Sequence, residues 1–245
     1  MTPTDPIDWT SFNLNMDIGG PVVGDYSDPG MLHWSGQATY TVAVADGTDW
    51  RPDQDQALSV ARIEDGEDLY SEWTVLTMGG LIVDPRSVEA RIPRLLNEIS
   101  EDYDHFGVLF DGTDFHPDLM DHIDGVFGSR AVLIDRVHMA PAWRGHGGVG
   151  RLLISRILRL FAADAKVVAT NPFPIVLFTE RDGHARLTAH PRFDEELAKV
   201  QRTWASLGFQ LYKDPIWVMD PARSGHADAV AELERRLAAA PAHSR

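Results

Sequence analysis

Asp135-Arg-Val-His-Met-Ala-Pro-Ala-Trp-Arg144-Gly-His-Gly-Gly-Val-Gly150-Arg-Leu-Leu-Ile154 is the stretch on which the reading of this chain turns. An apolar run, Ala131 to Met139, leads into it, and Leu152, Leu153, Ile154, Ile157, Leu158 and Phe161 leave it at helical spacing. Strand, glycine-rich loop and helix therefore follow in order. Glycines let a loop turn its backbone N–H groups toward one point, and the next helix adds its partly positive N-terminus. The stretch reads as a cradle for phosphate.

Outward from this cradle, the pattern is that of an α/β protein with a mixed, mainly antiparallel central sheet flanked by helices. On the C-terminal side, 166–170 reads as a buried strand ended by Asn171-Pro-Phe-Pro174, with 175–178 as its extension and 181–191 as a loop. Phe193 to Leu207 reads as a helix with Leu197, Val200, Trp204 and Leu207 on one face, stopped by Gly208. Phe209–Tyr212 and Ile216–Met219 read as a hairpin, and 226–239 as a closing helix. On the N-terminal side, 1–37 reads as an irregular arm, and 38–45 and 57–64 as two strands of a long-looped hairpin. Leu69, Trp73 and Leu76 suggest a short helix before Gly79-Gly80, followed by a strand at 81–84. A helix is expected from Asp84-Pro85 through Ile99, a strand at 106–110 and a helix at 117–127. Without a repeat or composition break, the 245 residues read as one domain with an N-terminal elaboration.

Composition narrows the function. With no cysteine, disulfides, cysteine-ligated zinc and a thiol nucleophile are excluded, and His184 and His190 lack the patterning of metal ligands, so no metal is expected. A formal charge of −15 argues against general nucleic-acid binding and leans toward a cationic partner. No apolar run of membrane-spanning length occurs and the N-terminus lacks the pattern of a signal peptide, so neither membrane nor export is expected and the reading is cytoplasmic.

Three phosphate motifs compete for the same glycines. Gly145-His-Gly147-Gly-Val-Gly150 spells GxGxxG, the dinucleotide fingerprint of an NAD(P)-binding oxidoreductase. Pro141-Ala-Trp-Arg144 separates strand from glycines, however, and no acidic residue ends the next strand. A P-loop fails because Arg151-Leu152 stands where Lys-Ser/Thr is required. The third comes by resemblance. Arg136-Val-His-Met-Ala-Pro141-Ala-Trp-Arg144-Gly-His-Gly147 followed by Leu152-Leu153 resembles the acetyl-CoA-binding motif of the GNAT acyltransferase superfamily, Arg/Gln-x-x-Gly-x-Gly/Ala after a bulged strand. Trp204-Ala-Ser-Leu-Gly208-Phe209 before a hairpin resembles the end of the same fold, so the likeness spans roughly 131–220.

The resemblance implies an N-acetyltransferase that moves an acetyl group from acetyl-CoA directly to an amine. Main-chain groups around Val137, His138 and Met139 would meet the acyl carbonyl and pantetheine. Arg144, Gly145, His146, Gly147, Gly148, Val149, Gly150 and Arg151 would hold the pyrophosphate, and Asn171 would line the cleft where strands part. Two departures stand out. Val149 takes the place of the motif's second small residue unless one insertion makes Gly148-Val-Gly150 the pair, and Trp204 stands where family members often have a tyrosine acid. An indole N–H is no practical acid; Tyr212 is the nearest substitute.

Acyl transfer needs an amine made neutral, so a base is sought on the key strand. Asp135 is the candidate, on the same side as Val137 and Met139 by simple alternation, with an ion pair to a neighbouring arginine as its plain structural alternative. His138 then falls on the opposite face unless a bulge re-aims it. The expected partner is a small-molecule or peptide amine, and a homodimer is compatible with the reading. A non-catalytic CoA sensor is the rival from another class.

Overall fold

The computed structural model describes residues 9–19, 28–44, 55–65, 68–123, 127–146, 148–162, 164–177, 190–222 and 224–239. Its centre is β4 (Asp68–Val83), sixteen residues long. Along one edge β4 pairs with β2 (Met31–Ala43), and β2 in turn pairs with β1 (Phe12–Gly19), all antiparallel. Along its other edge β4 is shared. Its first half pairs with β3 (Ser59–Asp65) and its second half with β7 (Arg130–Met139). β7 then runs parallel to β8 (Ala165–Thr170), which is followed by β10 (Ile216–Met219) and, at the far edge, β9 (Gln210–Lys213). A small pair, β5 (Phe110–Asp111) and β6 (Asp114–Phe115), lies apart. The result is an α/β fold with a large mixed sheet in which β7 and β8 are the one parallel pair among the described residues.

Each face of the sheet buries its own apolar set. On one, Leu81, Val83, Ala131, Leu133, Val167 and Ala169 meet α1 (Ile92–Ile99), α2 (Glu101–Asp104) and α3 (Pro117–His122) through Ile92, Leu96, Tyr103 and Leu119. On the other, Met78, Ile82, Val132, Ile134 and Val168 meet α4 (Val149–Phe161) through Leu153, Ile154 and Ile157, and α5 (Phe193–Ala205) through Trp204. α4 lies close because β2 carries Gly36 beneath it; a Cβ there would come within 2.7 Å of Ile157. α6 (Ser224–Ala239) packs on α4 through Val230 and Leu233 against Leu152.

Several expectations from sequence give way. Within the expected irregular arm 1–37, residues 12–19 and 31–37 are strand: Phe12, Leu14 and Met16 alternate with Asn13, Asn15 and Asp17 along β1, a half-buried edge strand, and β2 starts at Met31. The strands near 38–45 and 57–64 do not form a hairpin together: each pairs with β4 instead. In place of the helix expected at 65–77, residues 68–77 belong to β4, because Trp73, Thr74, Val75 and Thr77 favour a pleated surface and the helical spacing of Leu69, Trp73 and Leu76 is coincidental. α1 begins at Ile92 rather than Asp84, 105–109 is a 3-10 turn, and 175–177 is another rather than a strand extension. The loop at 181–189 lies outside the described residues. The elements around the cradle fall where periodicity predicts them.

Candidate functional site

The site begins with a break in regular pairing. Between β4 and β7 the register shifts: Ile134 faces Gly80 and Arg136 faces Gly79, leaving Asp135 as the extra residue of a β-bulge. Gly80 is required there, since a Cβ would come within 1.8 Å of the Leu133 carbonyl oxygen. The bulge inverts the alternation beyond it. Ile134 packs on the α4 side, and so do Val137 and Met139. Asp135 instead turns toward α2, where its Oδ2 accepts a hydrogen bond from the Tyr103 hydroxyl at 3.0 Å. Asp135 therefore does not share a side with Val137 and Met139, as plain alternation predicts, and His138 comes to the face that Asp135 occupies.

The second break lies on the opposite flank of β7. Its parallel pairing with β8 runs only as far as Ile134 and Thr170, where the Thr170 hydroxyl still reaches the Ile134 carbonyl at 3.4 Å. At that fork β8 ends, and β7 continues beside a cavity of about 660 Å³. Backbone groups of β7 directed away from β4 lose their strand partner here. Asp135, Val137, His138, Met139, Arg144, Gly145, His146, Gly148, Val149, Gly150, Arg151 and Asn171 all line the cavity, so every described residue of the predicted site is brought together. Gly147 lies outside the described residues.

At one end of the cavity the chain turns into α4. Gly145 (φ +75°) and Gly148 (φ +114°) adopt left-handed backbone, which favours glycine. Gly148 is the N-cap residue, and the Val149 N–H donates to the His146 carbonyl at 3.0 Å while the Leu152 N–H opens the helical ladder at Gly148. The positive end of α4 thus faces into the cavity. Met139 packs under this turn, where a Cβ on Gly150 would sit 2.6 Å from its sulfur.

The arginines expected to serve phosphate have local partners. Arg144 Nε donates to the Met139 carbonyl at 2.8 Å, and Arg151 Nη1 donates to Ser206 Oγ at 3.1 Å, tying α4 to the end of α5. His146 Nδ1 lies 3.1 Å from the Arg144 carbonyl. Burial, and then the positive charge of Arg144, hold the His138 imidazole below its ordinary pKa. Burial also lowers Arg144.

Around Asp135, Arg136 forms the ion pair that was its structural alternative, with Nε 3.1 Å from Oδ1 and Nη2 3.3 Å from Oδ2. Burial first, and then the Asp135 charge and hydrogen bond, push the Tyr103 hydroxyl well above the ordinary tyrosine range. Tyr103 is a hydrogen-bond donor at neutral pH, not an acid. Tyr212 does not reach the cavity; its ring stands edge-on to His122 at 5.4 Å, with its hydroxyl buried. Trp204 is at the cavity, packed edge-on against Phe209 at 4.8 Å.

Sequence reading missed the wall that α5 supplies. Glu196, Lys199, Val200, Thr203 and Trp204 line the cavity at positions i, i+3, i+4, i+7 and i+8. The signal was present, but a purely apolar stripe was sought and this one mixes polar residues. Glu196 is buried, yet Arg192 and Lys199 (3.0 Å) pair with it, which offsets its desolvation. Tyr103 carried no signal, since only the bulge brings it to Asp135.

No cluster of candidate metal ligands occurs among the described residues, and no helix among them is long and apolar enough to cross a membrane. Compared with protein-family models, curated proteins and solved structures, the chain matches none.

Proposed function

We propose that the protein binds acetyl-CoA along the fork between β7 and β8 and transfers its acetyl group to an amine. The observation that carries this reading is the junction of two features in one cavity: a strand flank stripped of its partner beyond Ile134, and the N-terminus of α4 at its end. An extended chain bearing amides can pair with the first, and a pyrophosphate can rest on the second. Pantetheine joined to a pyrophosphate is such a molecule. The bulge before the glycine loop, the mixed sheet and the hairpin after Gly208 agree with the GNAT resemblance. The dinucleotide alternative loses its support, because that fold needs successive parallel βα units and only β7 and β8 are parallel among the described residues.

In the proposed reaction the amine nitrogen attacks the thioester carbonyl carbon. The C–N bond forms, the C–S bond breaks, and the leaving thiolate takes up the proton that the acylated nitrogen sheds, giving coenzyme A thiol and an amide. The proton that an ammonium must lose before attack passes to water by way of Asp135, a carboxylate that lines the cavity. A second reading, a CoA-binding sensor without turnover, is favoured by two particulars: both Asp135 oxygens are engaged by Tyr103 and Arg136, and Trp204 offers no acid to the leaving thiolate.

Calorimetry with acetyl-CoA, together with thiol release across a panel of amines, separates the readings. The expected result is saturable binding and thiol release with at least one amine. Binding without release from any amine would establish the sensor, and a melting temperature that responds to NAD(P) but not to CoA would overturn both.

A further inference from the structure

The bulge does more than bend β7. In a regular strand, neighbouring side chains point to opposite faces, so an Asp-Arg pair would be divided by the sheet. Here the two residues stand together against Gly79 and Gly80 of β4, which have no side chains to cover them. Asp135 is nearly enclosed, its side chain 10% exposed and steadied by the Tyr103 hydroxyl. Arg136 is 69% exposed and meets Asp135 through Nε and Nη2, while the charge of the Asp102 carboxylate also acts on it. Among the described residues its Nη1 makes no hydrogen bond, and both residues line the cavity.

A fixed carboxylate beside a guanidinium with a free edge is complementary to a molecule that carries an ammonium and a carboxylate a few ångströms apart. A lone cationic amine would use only Asp135 and would meet the repulsion of Arg136. Tyr103 supplies a hydrogen bond that the nearly enclosed carboxylate needs, and leaves Arg136 as the open member of the pair. We propose that the acceptor is a free α-amino acid, its ammonium received by Asp135 and its carboxylate by the outer edge of Arg136. The proposal rests on the acyltransfer reading for its chemistry and sharpens the acceptor from amines in general to zwitterions. It also fits the place of Asp135 in that reaction, because the group that receives the ammonium is the one through which its proton leaves.

The test compares matched acceptors with acetyl-CoA present: free L-amino acids with acidic, basic, aliphatic and aromatic side chains, their primary amides, and the corresponding decarboxylated amines. Thiol release should favour at least one free acid over its amide and its amine by about 10- to 100-fold in kcat/KM, the range expected of one charge-assisted contact. In Arg136→Gln that preference should collapse toward unity while affinity for CoA stays within about twofold, and Arg136→Lys should keep part of it, since lysine retains charge without the planar fork. Equal use of acids and amides would overturn the proposal and leave acyltransfer standing. If CoA does not bind at all, melting shifts with the same three ligand sets decide the matter without turnover: stabilisation by an acid but not its amide, lost in Arg136→Gln, supports the zwitterion site, and no difference sinks it.

Discussion

β7 has two flanks and treats them differently. Toward β4 it stays paired through Met139, absorbing an extra residue at Asp135 on the way. Toward β8 it stays paired only through Ile134. A bulge raises local twist and bends its strand, and here the bend falls one residue after the last parallel pair. The cavity lies where the two coincide: the antiparallel flank bends at Asp135 just as the parallel flank runs out of partner. The sheet opens because β8 ends at Thr170 while β7 continues five residues past that last pair.

Gly80→Ala should disturb the antiparallel flank most. A Cβ 1.8 Å from the Leu133 carbonyl cannot be relieved by a rotamer change, because the obstacle is backbone. The bulge must shift or the strands must separate, at a cost of about 3 kcal/mol or more in unfolding free energy. Chemical denaturation measures this, and acetyl-CoA binding should be lost along with the stability. Gly79→Ala serves as the control: its Cβ would lie 3.2 Å from the Trp34 carbonyl, so a much smaller loss is expected. Equal losses at the two glycines would show that the bulge is not what Gly80 protects.

The same contrast explains what could be read in the sequence. The parallel side was legible: an apolar run at 131–139, glycines, an amphipathic helix and a buried strand at 166–170 are local patterns, and β7, α4 and β8 appear where those patterns lie. The antiparallel side was not. β4 holds Gly79-Gly80 in mid-strand, which looks like a stop signal until β7 is laid beside it. β1 was overlooked although its alternation is plain, because Gly, Pro and Asp crowd the segment that follows. The cavity's backbone side was thus foreseeable, whereas Tyr103 and the mixed stripe of α5 belong to the site only through contacts distant in sequence. Bulges are pairing events between strands, and no single segment encodes one.

Tyr103→Phe tests whether the α2 side sharpens the site. The substitution removes the donor to Asp135 and leaves the buried ring in place, so the loss in stability should be about 1–2 kcal/mol, near the value of a hydrogen bond to a charged group. Turnover should fall further than stability alone accounts for, because Asp135 is then steadied by Arg136 only. A stability loss with turnover unchanged at a temperature where both proteins are folded would confine Tyr103 to packing.

The smallest effect is expected at His138, which lies beyond the fork, paired with Thr77 on one flank and facing the cavity on the other. Burial and Arg144 hold its imidazole below the ordinary value, so the unfolded chain takes up this proton at a higher pH than the folded one does. Stability rises with pH wherever the unfolded state binds more protons. This residue therefore contributes nothing near pH 8, and it costs stability increasingly as pH falls through about 6.5, the unperturbed histidine value. His138→Gln removes that cost while keeping a polar side chain. Between pH 7.5 and pH 5 the melting temperature of the variant should fall less than that of the parent, by on the order of a degree or two, since the group is partly open to solvent. Parallel melting curves over this range would mean that the imidazole is no more enclosed on the β8 side of the strand than in the unfolded chain.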